Sequence, residues 1–194
     1  MISSMARLTA FEVADPVREW GKIRDFLVEF PSGKARYFSV DAHVGVGVKE
    51  IWAPLESVCS VDAAHMAVSV QAEIDQQMVR HLSRLETPEK DQDELRLHRL
   101  YHSSPAWAEI RRKKGGSLRK TSRLVRGSSL IGFEAVTRNG NRGKVKDLLF
   151  DEEKLQLELL RLQFDDAMGA CIDLESCGNC QLYTESHAIY VNVD

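Results

Sequence analysis

Short apolar runs separated by turn residues predict that the N-terminal part of the chain is built from strands. These runs lie at 8–15, 21–30, 35–41, 48–53 and 66–70. Pro31-Ser32-Gly33-Lys34 separates the second run from the third, and a cluster of this composition is typical of a tight turn. Runs this short, bounded by turn residues, favour strands over helices.

The C-terminal part has the same pattern, with predicted strands at 131–138, 144–150 and 156–163. Asn139-Gly140-Asn141-Arg142 predicts the turn between the first two. The third run nearly alternates apolar and polar residues, as a half-buried strand does, although its periodicity alone also allows a helix over 152–162. The corresponding N-terminal run, 36–40, follows Pro and Gly and is rich in strand formers, which favours strands at both places.

The two parts are similar because the chain carries an internal repeat. A shift of 122 residues aligns 8–28 with 130–150 without a gap, and seven of the 21 positions are identical. Further on, Leu-Glu-Ser at 55–57 recurs at 174–176, and the same shift pairs His65 with His187. These matches predict duplication of a unit of about 65 residues with an insert between the copies.

Glycine and aspartate occupy equivalent places in the two copies. Gly21 and Gly143 come where a turn enters a strand, a place that favours glycine through positive φ or close backbone approach. Asp25 and Asp147 are predicted to be surface or turn hydrogen-bond partners. The alternative is a catalytic carboxylate pair, but equivalent positions in two copies need not lie close together.

The insert is predicted to be helical at first. Apolar residues in 71–85 recur at helical spacing, and Thr87-Pro88 ends the pattern. This helix is predicted to close the first β unit, with a partner-binding helix as the alternative. A second helix is predicted over 89–101, where Leu97, Leu100 and Tyr101 share one side.

A strongly basic segment follows, with eight cations and no acidic residue in 111–126. We predict that these residues bind an anionic partner: Arg111, Arg112, Lys113, Lys114, Arg119, Lys120, Arg123 and Arg126. The net charge is −3 over 1–86, +6 over 87–126 and −6 over 127–194. Three interpretations therefore stay open: a solvated linker that balances acidic neighbours, contact with an acidic protein surface, and contact with phosphates. The segment contains no aromatic residue, which argues against single-strand stacking.

The cysteines leave several chemistries open. Cys171, Cys177, Cys180 and His187 have ligand types that suit zinc. Gly178-Asn179 between the last two cysteines is also a simple two-residue hairpin turn, which favours free thiols or an incidental disulfide over zinc and over redox catalysis. The prediction is therefore that no metal is bound.

Composition excludes several classes of protein. The 194 residues are 43% hydrophobic and 28% charged, as in a globular chain, and no apolar run approaches the about 18 residues of a membrane span. The N-terminus lacks the apolar region of a secretory signal, and four cysteines suit a reducing, cytoplasmic location. Nucleotide-binding, nucleophile-elbow and zinc-protease motifs are missing, so neither an enzyme nor a cofactor is expected.

Three stretches of the chain resemble the PRC-barrel family. The opening hairpin of the family resembles residues 132–137, the Asn139-Gly140 turn and residues 143–151. It resembles Phe11-Glu12-Val13 and residues 21–27 more loosely. The next segment of the family is similar to Pro54-Leu55-Glu56-Ser57-Val58. The second copy has Asp173 where the family has proline. The family includes the cytoplasmic domain of the photosynthetic reaction-centre H subunit and the C-terminal domain of a ribosome maturation factor. The resemblance implies a docking and assembly module without catalytic residues.

Together these observations predict a mainly β chain with two small PRC-type β-barrels in tandem, joined by a helical and basic insert. The predicted boundaries are 1–86 for the first barrel with its closing helix, 87–128 for the linker and 129–194 for the second barrel. The predicted function is non-enzymatic protein docking, with homo-oligomers left open. The alternative is an RNA-associated factor whose linker binds phosphates, and a zinc or redox enzyme is the third hypothesis.

Overall fold

The computed structural model describes residues 1–30, 32–44, 47–71, 96–99, 101, 123–164, 169–173, 181–183 and 187–191. These residues form a mainly β structure with two sheets of seven strands each. The helices described within these ranges are single turns. The mainly β fold predicted from the sequence is confirmed.

The first half of the chain supplies β1 (Ile2–Ser4), α1 (Met5–Leu8), β2 (Glu12–Ala14), β3 (Glu19–Phe30), β4 (Lys34–Val44), β5 (Gly47–Pro54), a 3₁₀ turn (Leu55–Ser57), β6 (Val58–Asp62) and β7 (Ala67–Val70). The second half supplies β8 (Arg123–Arg126), α2 (Gly127–Leu130), β9 (Glu134–Thr137), β10 (Arg142–Asp151), β11 (Gln156–Phe164), β12 (Gly169–Asp173), β13 (Gln181–Tyr183) and β14 (Ala188–Val191). Residues 156–164 are therefore a strand, as predicted, and not a helix.

The two sheets have the same topology. The first has the order β5-β4-β3-β2-β7-β6 and the second the order β12-β11-β10-β9-β14-β13. Each contains one parallel pair at the same place, β2 with β7 and β9 with β14. Among the described strands neither path closes, since β5 is not paired with β6 and β12 is not paired with β13. The duplication seen in the sequence is thus a duplication of strand order and pairing.

The segment that opens each repeat pairs with the sheet of the other repeat. We call residues 2–8 the first entry segment and residues 124–130 the second. β1 pairs with β10, where Ile2 lies opposite Asp151, and β8 pairs with β3, where Leu124 lies opposite Glu29. Leu124 follows Ile2 by 122 positions, and Asp151 follows Glu29 by the same 122 positions, so the exchange is reciprocal. Residues 123–128, which the sequence assigned to the linker, form β8 and the start of α2.

The sequence predicted a strand from residue 8, and the structure instead ends helix α1 there. The Ser4 hydroxyl accepts a hydrogen bond from the Arg7 backbone N–H, which caps the first turn. Met5 and Leu8, three residues apart, are then buried on one face of that turn.

The two sheets share one hydrophobic core. The rings of Phe26 from β3 and Phe150 from β10 meet with centroids 4.6 Å apart. The Gln156 side-chain amide of β11 also donates to the Ala35 carbonyl of β4 at 3.3 Å. The repeats therefore pack against each other rather than standing as separate units.

A helical turn at 96–99 covers part of the first sheet, within the second helix predicted from the sequence; the rest of that helix and the helix predicted at 71–85 lie outside the described residues. Leu97 is buried, and Tyr37 Oη lies 2.7 Å from His98 Nε2. Tyr101 donates to the Trp52 carbonyl at 3.2 Å, and burial raises the pKa of its hydroxyl.

Both repeat glycines allow two strands to approach closely, as predicted. A Cβ on Gly21 would lie 2.0 Å from the Asp41 carbonyl oxygen, and Gly21 has a φ of +139°. A Cβ on Gly143 would lie 2.7 Å from the carbonyl oxygen of Gln163, the residue equivalent to Asp41. Glycine at these positions is a requirement of the strand pairing.

Candidate functional site

Most of the basic segment that the sequence singled out lies outside the described residues, which include only its last part. Arg111, Arg112, Lys113, Lys114, Arg119 and Lys120 fall outside them. Arg123 begins β8, where it lies opposite Phe30. The prediction of an anionic partner for this segment stays a prediction, and Arg126 is the member whose side chain can be placed.

Arg126 is half-buried against the first sheet. Its guanidinium donates to both carboxylate oxygens of Glu50, at 3.1 and 2.9 Å, and lies 5.1 Å from the centroid of the Trp52 ring. Bidentate pairing and stacking on an aromatic ring both favour arginine over lysine. The Arg126 side chain thus fastens the second entry segment to the first sheet.

This contact belongs to a larger ion-pair network on the first sheet. Arg24 pairs with Asp41 at 2.9 Å and lies 3.9 Å from Glu50. The hydrogen bond and the charge of Asp41 raise the pKa of the Arg24 guanidinium. Arg24 and Arg126 therefore balance the exposed or half-buried Asp41 and Glu50 across β3, β4, β5 and β8.

Asp25 connects the same network to the second entry segment. Its carboxylate is 2% exposed and accepts from the Ser128 backbone N–H at 3.0 Å and from the Ser128 hydroxyl at 2.5 Å. It also accepts from the Phe26 N–H at 2.8 Å. The sequence correctly predicted a hydrogen-bonding role, but the expected surface position is wrong for Asp25. The partner Ser128 lies 103 residues away, so no local pattern could indicate it.

Asp147, the equivalent residue in the second repeat, has a different environment. It caps its neighbour in the same way, accepting from the Leu148 N–H at 2.9 Å. It is half-buried, and its other oxygen lies 3.8 Å from Arg161. The residue equivalent to Ser128 is Ala6, which has no hydroxyl to donate.

A second polar cluster holds the first entry segment. Glu152 is 1% exposed, and one of its oxygens accepts from the Ser3 hydroxyl and, at 2.5 Å, from Arg7 Nε. Its backbone N–H donates to the Met1 carbonyl at 2.8 Å. The hydrogen bond from Ser3 lowers the pKa of the carboxyl group, burial opposes this shift, and Arg7 adds to it. Phe30 is equivalent to Glu152, so this cluster is confined to one repeat.

The histidine and cysteine positions are only partly described. Cys171 is an exposed free thiol on β12, while Cys177 and Cys180 lie outside the described residues. His187 is exposed, with a φ of 49°, and its ring makes an edge-to-face contact with the Phe133 ring, with centroids 5.1 Å apart. Within the described ranges no three His, Cys, Asp or Glu side chains converge as a metal site.

The sequence alignment of His187 with His65 is wrong. Glu134 N–H donates to the His187 carbonyl, and the equivalent Glu12 N–H donates to the Met66 carbonyl. Met66 also has a positive φ, of 52°. His187 is therefore equivalent to Met66, and the paired residues Glu134 and Ala188 are one position closer in sequence than the equivalent pair Glu12 and Ala67.

A row of exposed cations crosses the second sheet, and sequence reasoning did not find it. Arg142, Lys144 and Lys146 alternate along β10 with buried Gly143 and Val145, which places them on one face. Arg161 reaches solvent from β11 between buried Leu160 and Leu162. We call these four cations the basic face. The alternation was visible in the sequence, but the partner strand that brings Arg161 beside β10 was not.

Fold and site together define a duplicated, mainly β chain whose repeats exchange their entry segments. No protein-family model matches the sequence, and no curated protein is significantly similar to it. None of the helices in the described ranges is long and apolar enough to cross a membrane.

Proposed function

We propose that the chain is a non-enzymatic docking module built from two PRC-type β-barrels in tandem, working in the cytoplasm. The hairpin motif that resembles the family coincides with β9 and β10, and the looser copy coincides with β2 and β3. Cys59 and Cys171, the cysteines within the described residues, are free thiols and suit a reducing compartment. Both repeats together would present a rigid platform to a protein partner.

The structural roles of the buried carboxylates support this proposal. Asp15 accepts from two backbone N–H groups of its own turn and from the Trp20 indole. Asp25 and Glu152 hold the two entry segments. A catalytic carboxylate must reach a substrate proton within hydrogen-bond distance. The buried carboxylates of the described residues instead hold turns and entry segments, as a scaffold requires.

Purification from the cells that encode the protein tests the docking function. A tagged full-length chain is isolated with and without nuclease treatment, and co-purifying proteins are quantified against the tag. We expect one protein in near-stoichiometric amount that survives the nuclease. A partner that is lost with the nuclease supports the RNA-associated alternative, and a chain recovered alone in both cases contradicts docking.

The basic segment is tested with a matched pair of variants. Arg111→Ala, Arg112→Ala, Lys113→Ala and Lys114→Ala together remove four cations from the segment. The control removes four exposed cations elsewhere: Lys22→Ala, Lys34→Ala, Lys49→Ala and Lys154→Ala. If the segment binds the partner, only the first variant weakens binding and flattens its salt dependence. Equal affinity and equal salt slope in both variants would show that the segment is only a linker.

A further inference from the structure

The outer faces of the two repeats carry different charge patterns at equivalent positions. In the first repeat Arg24 is neutralised by Asp41 and Glu50. Strand register places Gln163 at the position of Asp41 and Gly169 at that of Glu50, because both pairs lie opposite each other in β4–β5 and β11–β12. The acids that balance the first face are therefore replaced by neutral residues in the second.

Cations are added to the second face as well. Arg161 occupies the position of Ser39, since each lies opposite the repeat aspartate. Arg142, with 70% of its side chain exposed, stands where the first repeat buries Trp20. Lys144 and Lys146 form no ion pair with a described residue. Residues 127–194 carry a net charge of −6, yet four of their six cations lie on this face.

We propose that the basic face, Arg142, Lys144, Lys146 and Arg161, docks an extended acidic polypeptide segment of a partner protein. The proposal rests on the docking function above and names the chemistry of the partner. Cations on alternate residues of a strand repeat every ~6.6 Å. An extended peptide with an acidic residue at every second position repeats its charges at the same spacing.

The same face suits RNA less well. Single-stranded nucleic acid is bound by aromatic platforms beside the cations. Tyr190 is the one exposed Phe, Tyr or Trp among the residues whose side chains the structure describes, and strand register places it two strands from Arg142 on the same face. One aromatic ring does not supply the series of platforms on which successive bases stack.

Glu134 pairs with Arg142 at 3.0 Å and Asp147 lies 3.8 Å from Arg161, so two of the four cations already face a carboxylate. Lys144 and Lys146 remain for an anionic partner. Two cations suit two acidic side chains of a peptide better than nucleic acid, whose affinity rises with the number of phosphates that are neutralised.

Fluorescence anisotropy with two labelled probes tests the inference. One probe is a twelve-residue peptide of alternating Glu and Thr, and the other is a twelve-nucleotide oligouridylate. The full-length chain is compared with Lys144→Glu/Lys146→Glu and with the control Lys22→Glu/Lys49→Glu, which has the same change in net charge. All three proteins keep the basic segment, so differences between them report on the faces.

We expect the peptide Kd to rise about tenfold in Lys144→Glu/Lys146→Glu and less than about twofold in the control. Lys144→Gln/Lys146→Gln should weaken binding by about threefold, which supports the result if the charge-reversed chain folds poorly. Equal weakening in both charge-reversed proteins, or no peptide binding by the wild type, overturns the inference. Oligouridylate that binds more tightly than the peptide, and is released by the Lys144→Glu/Lys146→Glu change, overturns it in favour of nucleic acid. If the cellular partner binds Lys144→Glu/Lys146→Glu with unchanged affinity, the role proposed for the basic face is contradicted, whereas the docking function is not.

Discussion

The two repeats share strand order, yet their outer faces differ. On the first sheet Trp52 is buried, with Arg126 over its ring and the helical turn at 96–99 nearby. On the second sheet the equivalent residue is Cys171, which is exposed. The hairpin core was thus kept after duplication, while the outer surfaces took on separate roles, internal attachment in one repeat and solvent contact in the other.

The attachments of the two entry segments differ in the same way. Each segment adds one strand to the other repeat, but the first is held by buried Glu152 and the second by Asp25 and Arg126. The strand pairing follows the pseudo-symmetry of the duplication, and the polar contacts do not. Backbone geometry is therefore shared between the repeats, whereas the side-chain chemistry can be tested one repeat at a time.

The largest difference in stability between equivalent substitutions is expected at Gly21 and Gly143. Gly21→Ala places a Cβ 2.0 Å from a backbone oxygen at positive φ, whereas Gly143→Ala places one 2.7 Å from the equivalent oxygen. We expect losses in the free energy of unfolding of about 4 and about 2 kcal/mol, measured by denaturant titration. Gly47→Ala, where nothing lies within 4 Å, is the control and should change stability by less than about 0.5 kcal/mol. Equal losses of stability in Gly21→Ala and Gly143→Ala would mean that the strands approach equally closely at the two glycines.

The second largest difference in stability is expected between substitutions of Asp25 and Asp147. Asp25→Ala leaves the Ser128 and Phe26 N–H groups without their buried acceptor and should cost about 3 kcal/mol. Asp147→Ala removes a half-buried cap and should cost about 1 kcal/mol. Thermal and denaturant unfolding of both variants measures the difference. If Asp147→Ala proved as damaging as Asp25→Ala, the contact to Ser128 would contribute little.

The Glu152 cluster predicts a pH dependence that has no counterpart at the equivalent position of the first repeat, which is Phe30. Because the pKa of Glu152 is lowered below its ordinary value of 4.5, its contribution to stability is present above that value and is lost as pH falls through the folded-state pKa. Unfolding free energies of the wild type and of Glu152→Gln, measured across this range, should converge by an amount on the order of 1–2 kcal/mol. Parallel pH profiles for the two proteins would exclude Glu152 as the titrating group.

The smallest effect concerns the helical turn that covers only the first sheet. Tyr37→Phe removes the hydrogen bond to His98 and should cost about 1 kcal/mol. A double-mutant cycle with His98→Ala should return a coupling energy of about 1 kcal/mol. A coupling energy of zero would show that this hydrogen bond does not attach the turn to the sheet.

Local patterns in the sequence predicted the parts of the fold that depend on local chemistry. The turns before β4 and β10, the strand at 156–164 and the role of Gly21 and Gly143 all follow from residue type and short-range alternation. The missed features depend on distant partners. β1 and β8 are too short to carry a pattern. They form because β10 and β3 extend beyond their short neighbours β9 and β2 and present unpaired backbone groups there. The burial of Asp25 and the grouping of Arg161 with Lys144 likewise need contacts that sequence spacing does not reveal.

The reciprocal exchange also constrains the order in which the chain can fold as it is made. β1 is synthesised first, but its partner strand β10 follows about 145 residues later. At ~5–20 residues per second this is a delay of roughly 7–30 s, during which β1 has no partner strand. The first sheet is completed earlier, once β8 has left the ribosome, because β8 precedes the second hairpin in the chain. Folding of the two repeats is therefore coupled in time: the first sheet waits for β8, and β1 waits for β10.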